Sequence, residues 1–239
     1  MNKQLLLVST LAGLFSAGSA NALIIDNFSV VQSQIYITGP APVASLNNFQ
    51  FGAVGDILGG MRETDVTLYA GNAAADVNVR VVAGVLDIND SVSAATEVML
   101  TWNAGGAGLG NIDLYAGGAT GIYLAFPTAM DHALLLSFDI DDFGSGTTAS
   151  RSITFPVGSQ GNDFFFAFSD FTNLAALSSA DAIRMTLSST TPGLDANIDL
   201  IETRDAPPGS VPEPATMGLL GLGLLGLGLT RLKAKARNA

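Results

Sequence analysis

The sequence predicts an all-β fold, an antiparallel β-sandwich or jelly roll, set between an N-terminal signal peptide and a C-terminal single transmembrane helix. Three observations carry that prediction. In the middle of the chain apolar residues recur with period two: Val77, Val79 and Val81 alternate with Asn78 and Arg80, Val98, Leu100 and Trp102 with Met99 and Thr101, and Ile183, Met185 and Leu187 with Arg184, Thr186 and Ser188. Such alternation is what half-buried antiparallel strands require. The same region offers no long 3.6-residue apolar face, and clusters of Gly, Asn, Asp and Ser at 52–60, 71–76, 103–111, 117–121, 141–150 and 158–163 supply turns. The uninterrupted apolar runs lie instead at the two ends.

That distribution explains the composition. The 239 residues are 48% hydrophobic and only 13% charged, with a mean hydropathy of +0.41, whereas about 25% charged is usual. Two apolar ends raise the average, so repeated membrane crossing is not needed. Ten Lys and Arg against 21 Asp and Glu give a net charge of −11, which excludes a general nucleic-acid binder, since phosphate contacts need clustered cations.

Residues 1–22 read as a secretory signal peptide. Lys3 precedes an apolar stretch over 5–15, too short to span a membrane, and Ala20-Asn21-Ala22 places small residues three and one positions before a cut between Ala22 and Leu23. Signal peptidase is the implied partner.

Residues 23–205 read as the exported β-sandwich. Besides the three alternating segments, strands are expected at 23–31, 34–38, 66–70, 122–126, 132–140, 153–157, 164–168 and 198–203, with one short helical turn within 173–182. Over 23–210 there are five Arg, no Lys and 20 acidic residues, so this part carries −15. With no Cys anywhere, the core alone must hold an exported fold together.

Residues 206–214 form a linker and a handle. Ala206-Pro207-Pro208-Gly209-Ser210 is a hinge, and Pro212-Glu213-Pro214 is stiff and non-helical, because each proline fixes φ and removes a backbone donor. Residues 215–239 read as a transmembrane helix with a basic cytoplasmic end. The uncharged run over 215–230 is rich in Leu and Gly and is followed by Arg231, Lys233, Lys235 and Arg237, a stop-transfer cluster that keeps the terminus inside. A permanent C-terminal anchor is the competing reading of the same residues.

The order Pro212-Glu213-Pro214, short Gly/Leu-rich helix and terminal basic cluster resembles the PEP-CTERM protein-sorting signal of exported proteins of Gram-negative bacteria. The resemblance implies an exosortase, a membrane-embedded cysteine transpeptidase, which recognises Pro212-Glu213-Pro214, cuts nearby and passes the protein on. It also implies transient anchoring in the inner membrane, then the cell surface or extracellular matrix, in company with exopolysaccharide and biofilm.

Within the domain, Ile25-Asp26-Asn27-Phe28 at the start, Gly110-Asn111-Ile112-Asp113-Leu114, Leu136-Ser137-Phe138-Asp139-Ile140, and Ala196-Asn197-Ile198-Asp199-Leu200-Ile201 at the close are similar to strands of carbohydrate-binding jelly rolls. This resemblance bears on architecture more than on ligand.

The residues point away from an enzyme. His132 is the only His and starts the inward set Leu134, Leu136, Phe138, so it reads as a satisfied histidine at the core's edge, and no nucleophile motif accompanies it. Asp139, Asp141 and Asp142, and separately Asp87, Asn89 and Asp90, could ligate Ca²⁺ through oxygen, but neither group has the spacing of a dedicated loop, and solvated turn carboxylates are the competing reading. Asp26 and Asp199 are a further pair of carboxylates near the domain's two ends. Trp102, in phase with Val98 and Leu100, belongs to the core. Phe164, Phe165, Phe166 and Phe168 suggest a strand buried on both faces, whereas Tyr36, Tyr69, Tyr115 and Tyr123 are candidates for outward stacking on sugar. The expected role is structural or adhesive, with no cofactor beyond a possible structural Ca²⁺. The alternatives are a carbohydrate-binding module, which needs exposed aromatics and polar groups on one sheet face or loop end, and a glycan-active enzyme, which needs two facing carboxylates in a cleft.

Overall fold

The computed structural model describes residues 22–128, 131–157, 164–189 and 191–205. The chain divides into two compact units, Met1–Ala206 and Pro207–Ala239, and every described residue belongs to the first. Fourteen strands follow in order: β1 (Leu23–Asp26), β2 (Gln32–Thr38), β3 (Val43–Phe51), β4 (Met61–Gly71), β5 (Asp76–Val82), β6 (Val85–Asp90), β7 (Ala94–Trp102), β8 (Gly121–Ala125), β9 (Leu134–Asp142), β10 (Thr147–Phe155), β11 (Phe164–Ala167), β12 (Ala182–Ser188), β13 (Asp195–Ile198) and β14 (Leu200–Arg204). Helical structure among the described residues is limited to short 3₁₀ turns, of which Leu174–Ser178 occupies the segment expected to hold one.

A six-stranded sheet in the order β10-β9-β12-β7-β4-β3 faces two four-stranded sheets, β1-β14-β8-β11 and β13-β6-β5-β2. Pairing is antiparallel throughout these sheets. The inward residues of all three make one apolar cluster, which is the arrangement of a β-sandwich. Phe138 of β9 meets Phe166 of β11 edge to face at 5.1 Å, joining the six-stranded layer to one of the smaller sheets. The other smaller sheet contributes Val77, Val79 and Val81 of β5 with Leu86 and Ile88 of β6. Trp102 is fully buried, as its phase in β7 predicts.

Several boundaries differ from the sequence reading, each for a local reason. β1 stops at Asp26 rather than running to 31, because the Asp26 carboxylate accepts the Phe28 N–H (2.8 Å) and Asn27 Oδ1 accepts the Ser29 N–H (3.0 Å). Those bonds turn the chain out of the ladder and leave Phe28 at a φ of 51°. Residues 141–150 are mostly strand, with the turn confined to 143–146, where Asp142 Oδ1 accepts the N–H groups of Gly144 and Ser145. The strand expected at 198–203 is two strands divided by Asp199, β13 pairing with β6 and β14 with β8 and β1. Strands β3 and β6 carry no expectation from the sequence. Tyr123 is corrected from an outward stacker to a buried residue, 6% exposed, since β8 lies between β14 and β11 and the Arg204 guanidinium covers its ring, 3.2 Å from the centroid.

Candidate functional site

The outer face of the six-stranded sheet gathers the polar residues of its strands. Residues directly opposite one another in an antiparallel pair share a face, so the register defines rows. One row runs Phe49, Glu63, Thr101, Arg184, Asp139, Ser150 across β3, β4, β7, β12, β9 and β10. The next runs Asn47, Asp65, Met99, Thr186, Ser137, Ser152. Side chains bond within and between rows: Ser150 Oγ donates to Asp139 Oδ1 at 2.6 Å within the first, Asn47 Nδ2 donates to Glu63 Oε1 at 3.4 Å between the two, and Arg184 Nη2 reaches Asp141 Oδ2, one row further along β9, at 2.8 Å. Burial pushes the Asp65 carboxyl up from its ordinary value, against the Ser45 hydroxyl that donates to it.

At the β3 end this face opens into a groove of about 500 Å³ lined by Phe49, Phe51, Met61, Glu63, Asn103 and the Gly105-Gly106 backbone. Phe49 and Phe51 are 44% and 72% exposed, an unusual display for two aromatic rings in adjacent same-face positions. The groove's other wall is a turn after β7 in which Asn103 Oδ1 accepts the Gly106 N–H at 3.1 Å, and Gly105 and Gly106 take φ values of 71° and 85°. Such φ values favour glycine, and here they lay backbone rather than side chain along the groove, with Gly105 next to Met61. The combination is two flat apolar surfaces, one carboxylate and one amide. That set can stack on the apolar face of a pyranose ring while accepting from and donating to its hydroxyls.

Beneath the sheet, Asp26, Arg62 and Trp102 form a buried polar centre. Arg62 Nη1 contacts both Asp26 oxygens at 2.9 and 2.8 Å, Trp102 Nε1 donates to Asp26 Oδ2 at 3.0 Å, and Gln32 Oε1 accepts from Thr64 at 2.8 Å. Burial raises the Asp26 carboxyl above its ordinary value, and Arg62 with the Trp102 and Phe28 N–H groups offsets only part of that rise. Fully enclosed, this centre positions β4 under the groove and cannot itself meet a ligand.

The remaining sequence candidates do not converge. Asp139 and Asp141 share the outer face of β9 and are engaged by Ser150, Thr148 and Arg184. Asp142 points the other way into its own turn, and the Ser145 hydroxyl and N–H hold its carboxyl below the usual range, which disqualifies it as a proton donor. Asp87 pairs with Arg80 and accepts from Asn197. Among the described residues no three His, Asp or Glu side chains gather as a metal site. His132 is half-buried with Nδ1 3.0 Å from Asp131. Tyr36 is exposed, Tyr69 donates its hydroxyl to the Ser189 carbonyl, and Tyr115 lines a second, more apolar groove with Phe165, Phe168 and Leu174. Phe166 is buried but Phe164 and Phe165 only partly, so β11 is not covered on both faces. Ala22 is exposed just before β1. Ala20, Pro212, Glu213, Pro214, Arg231, Lys233, Lys235 and Arg237 lie outside the described residues. The groove residues Phe49 and Phe51 escape the sequence reading, although Phe-x-Phe beside Gln50 is a period-two signal.

The fold and groove define a non-thiol β-sandwich with an aromatic-bordered polar sheet face. The model of the PEP-CTERM protein-sorting motif matches residues 210–232, so the chain carries that sorting signal, the mark of exported proteins sorted to the cell surface by an exosortase. None of the curated proteins matches the sequence. Among solved structures, the family 11 carbohydrate-binding module of the cellulosomal cellulase Lic26A-Cel5E of Clostridium thermocellum aligns at 12% identity over 77% of this chain and 95% of that one, with a TM-score of 0.37. A family 29 carbohydrate-binding module aligns at 11% identity over 74% and 96%, TM-score 0.36. The agarase AgWH50C aligns at 15% identity over 55% of this chain, TM-score 0.40, and the aligned part spans 22% of the agarase.

Proposed function

We propose that this is a non-catalytic, exported surface protein that grips an extracellular polysaccharide through the Phe49–Phe51 groove and so serves a structural or adhesive role in an exopolysaccharide matrix. Residues 1–22 direct export, residues 215–239 hold the protein briefly in the inner membrane, and an exosortase acts at Pro212-Glu213-Pro214. The observation that carries the binding role is the exposure of Phe49 and Phe51 on the same sheet face as Glu63, beside Asn103. Two exposed rings with one carboxylate and one amide make a small contact set, so repeated weak contacts along a polymer suit the groove better than tight capture of a monosaccharide.

Affinity electrophoresis through gels containing neutral β-glucan, agarose-type galactan or a uronic-acid polymer tests the binding role. Retardation by one of them, lost in Phe51→Ala, is the expected result; equal mobility in every gel sinks it. The sorting role is tested separately by replacing Pro212, Glu213 and Pro214 with Ala. An uncleaved, membrane-retained precursor is expected, and unchanged size and location would refute it.

A further inference from the structure

We propose that β3 joins two copies of this chain edge to edge, as an antiparallel β3–β3 pair across a two-fold axis. The pairing uses the backbone edge of β3, whose outer-face rings Phe49 and Phe51 also border the glycan groove.

The two margins of the six-stranded sheet are treated differently. On β10, Thr172 closes the edge: its N–H donates to the Ser150 carbonyl at 3.1 Å and its Oγ1 accepts the Ser150 N–H at 3.0 Å. The neighbouring Arg151 adds a charge, 3.6 Å from Asp170. Both are ordinary ways of blocking strand addition. β3 has neither. Its nine residues, Val-Ala-Ser-Leu-Asn-Asn-Phe-Gln-Phe, include no charge, no Pro and no Gly.

The phase of the ladder shows which groups are open. Gly52 N–H donates to the Gly60 carbonyl at 3.0 Å, and Gly52 and Gly60 continue the register that pairs Phe51 with Met61. Hydrogen-bonded pairs alternate in an antiparallel ladder, so Leu46, Asn48 and Gln50 bond to β4. Asn47, Phe49 and Phe51 therefore turn their N–H and C=O groups to the free edge. Strand β2 approaches through Asn48 Nδ2, which donates to the Ser33 carbonyl at 3.3 Å, and no β2–β3 backbone pairing occurs among the described residues.

Charge selects the occupant. A domain at −15 without lysine repels its own copies over most of its surface. Of the uncharged edge strands β2, β3 and β11, β3 is the longest at nine residues, and a two-fold places uncharged strand on uncharged strand. The nearest in-row carboxylate is Glu63 on β4. Across the seam, the two copies of Glu63 stand about three strand spacings apart, roughly 14 Å, beyond the ~8 Å over which exposed charges act at physiological salt. Pairing also brings Phe49 and Phe51 towards the partner strand, and it consumes both open edges, so assembly stops at two.

Sedimentation equilibrium from about 1 to about 500 µM, on the exported protein from cells producing the full-length chain, tests this. Wild type should pass from monomer to dimer. Asn47→Pro removes an N–H that β4 does not use, and Phe49→Lys puts a charge at the seam; each should weaken association roughly ten-fold or more while leaving circular dichroism and melting unchanged. A wild type that stays monomeric throughout overturns the proposal, as do variants that dimerise like wild type or assembly that continues past two. If Asn47→Pro fails to fold, Phe49→Lys carries the test alone.

Discussion

Two aspartates, both removed from water, sit in opposite circumstances. Asp26 is fully buried and meets the Arg62 guanidinium, whose Nη1 reaches both its oxygens, an indole N–H and a backbone N–H. Asp90 is 5% exposed and has one donor to its Oδ2, the Thr96 hydroxyl at 2.5 Å, with its other oxygen buried and unpartnered. Its charged neighbours are Asp195, Asp131 and Asp76, and burial with that company pushes its pKa up to about 7. Burial raises both carboxyls; at Asp26 a guanidinium and two N–H donors oppose the rise, whereas at Asp90 the Thr96 hydroxyl opposes it against three like charges. One end of the sandwich is pinned by a satisfied ion pair, and another carries a group that resists ionising until neutral pH.

Removing the cation should break the comparison most severely. Arg62→Met leaves Asp26 buried without its counter-charge and should cost about 3–5 kcal/mol of unfolding free energy in urea, with much of it recovered in the double variant Arg62→Met/Asp26→Leu. A single variant costing under about 1 kcal/mol would mean that water reaches the site.

Asp90 predicts a pH dependence of the opposite sense to ordinary acid denaturation. Its folded pKa of about 7 exceeds the unfolded value near 3.9, so between those values the native state binds the extra proton. Stability from this group is therefore greatest at low pH and falls as pH rises from about 4 to about 7. Asp90→Asn should then stabilise the protein at pH 8 by on the order of 1–2 kcal/mol and give no gain at pH 4. Melting temperatures at the two pH values decide it; an equal shift at both would remove titration as the cause.

The smallest effect belongs to the exposed pair. Arg184 and Asp141 are 40% and 19% exposed, and Arg184→Ala should change stability by less than about 1 kcal/mol, and by less still in high salt. A larger loss would show that the outer rows are a cooperative network rather than a solvated face.

The same contrast explains what the sequence could disclose. Where one face of a strand packs on the core and the other meets water, alternation was sufficient, as in β5, β7 and β12. β3 lacks that signal because it lies at a margin, where Ser45, Asn47 and Phe49 meet water together with Leu46. β6 is masked by Asp87, Asn89 and Asp90, which look like turn residues, although Leu86, Ile88 and Asp90 are its inward set. Arg62 could not be recognised as buried, since its partner Asp26 lies 36 residues upstream and only folding brings them together. The groove's Glu63 and Asn103 share that difficulty, being 40 residues apart, whereas the sorting signal was fully legible because its parts are contiguous.

β14 leads directly towards the linker and the tail. It is held on both flanks, by β1 and by β8, with Leu23 opposite Thr203 and Arg204 opposite Gly121. A pull on the tail along the strand would load both ladders in shear, all bonds together, rather than peel them one at a time. That central seat makes β14 a mechanical clamp against force applied from its C-terminal side.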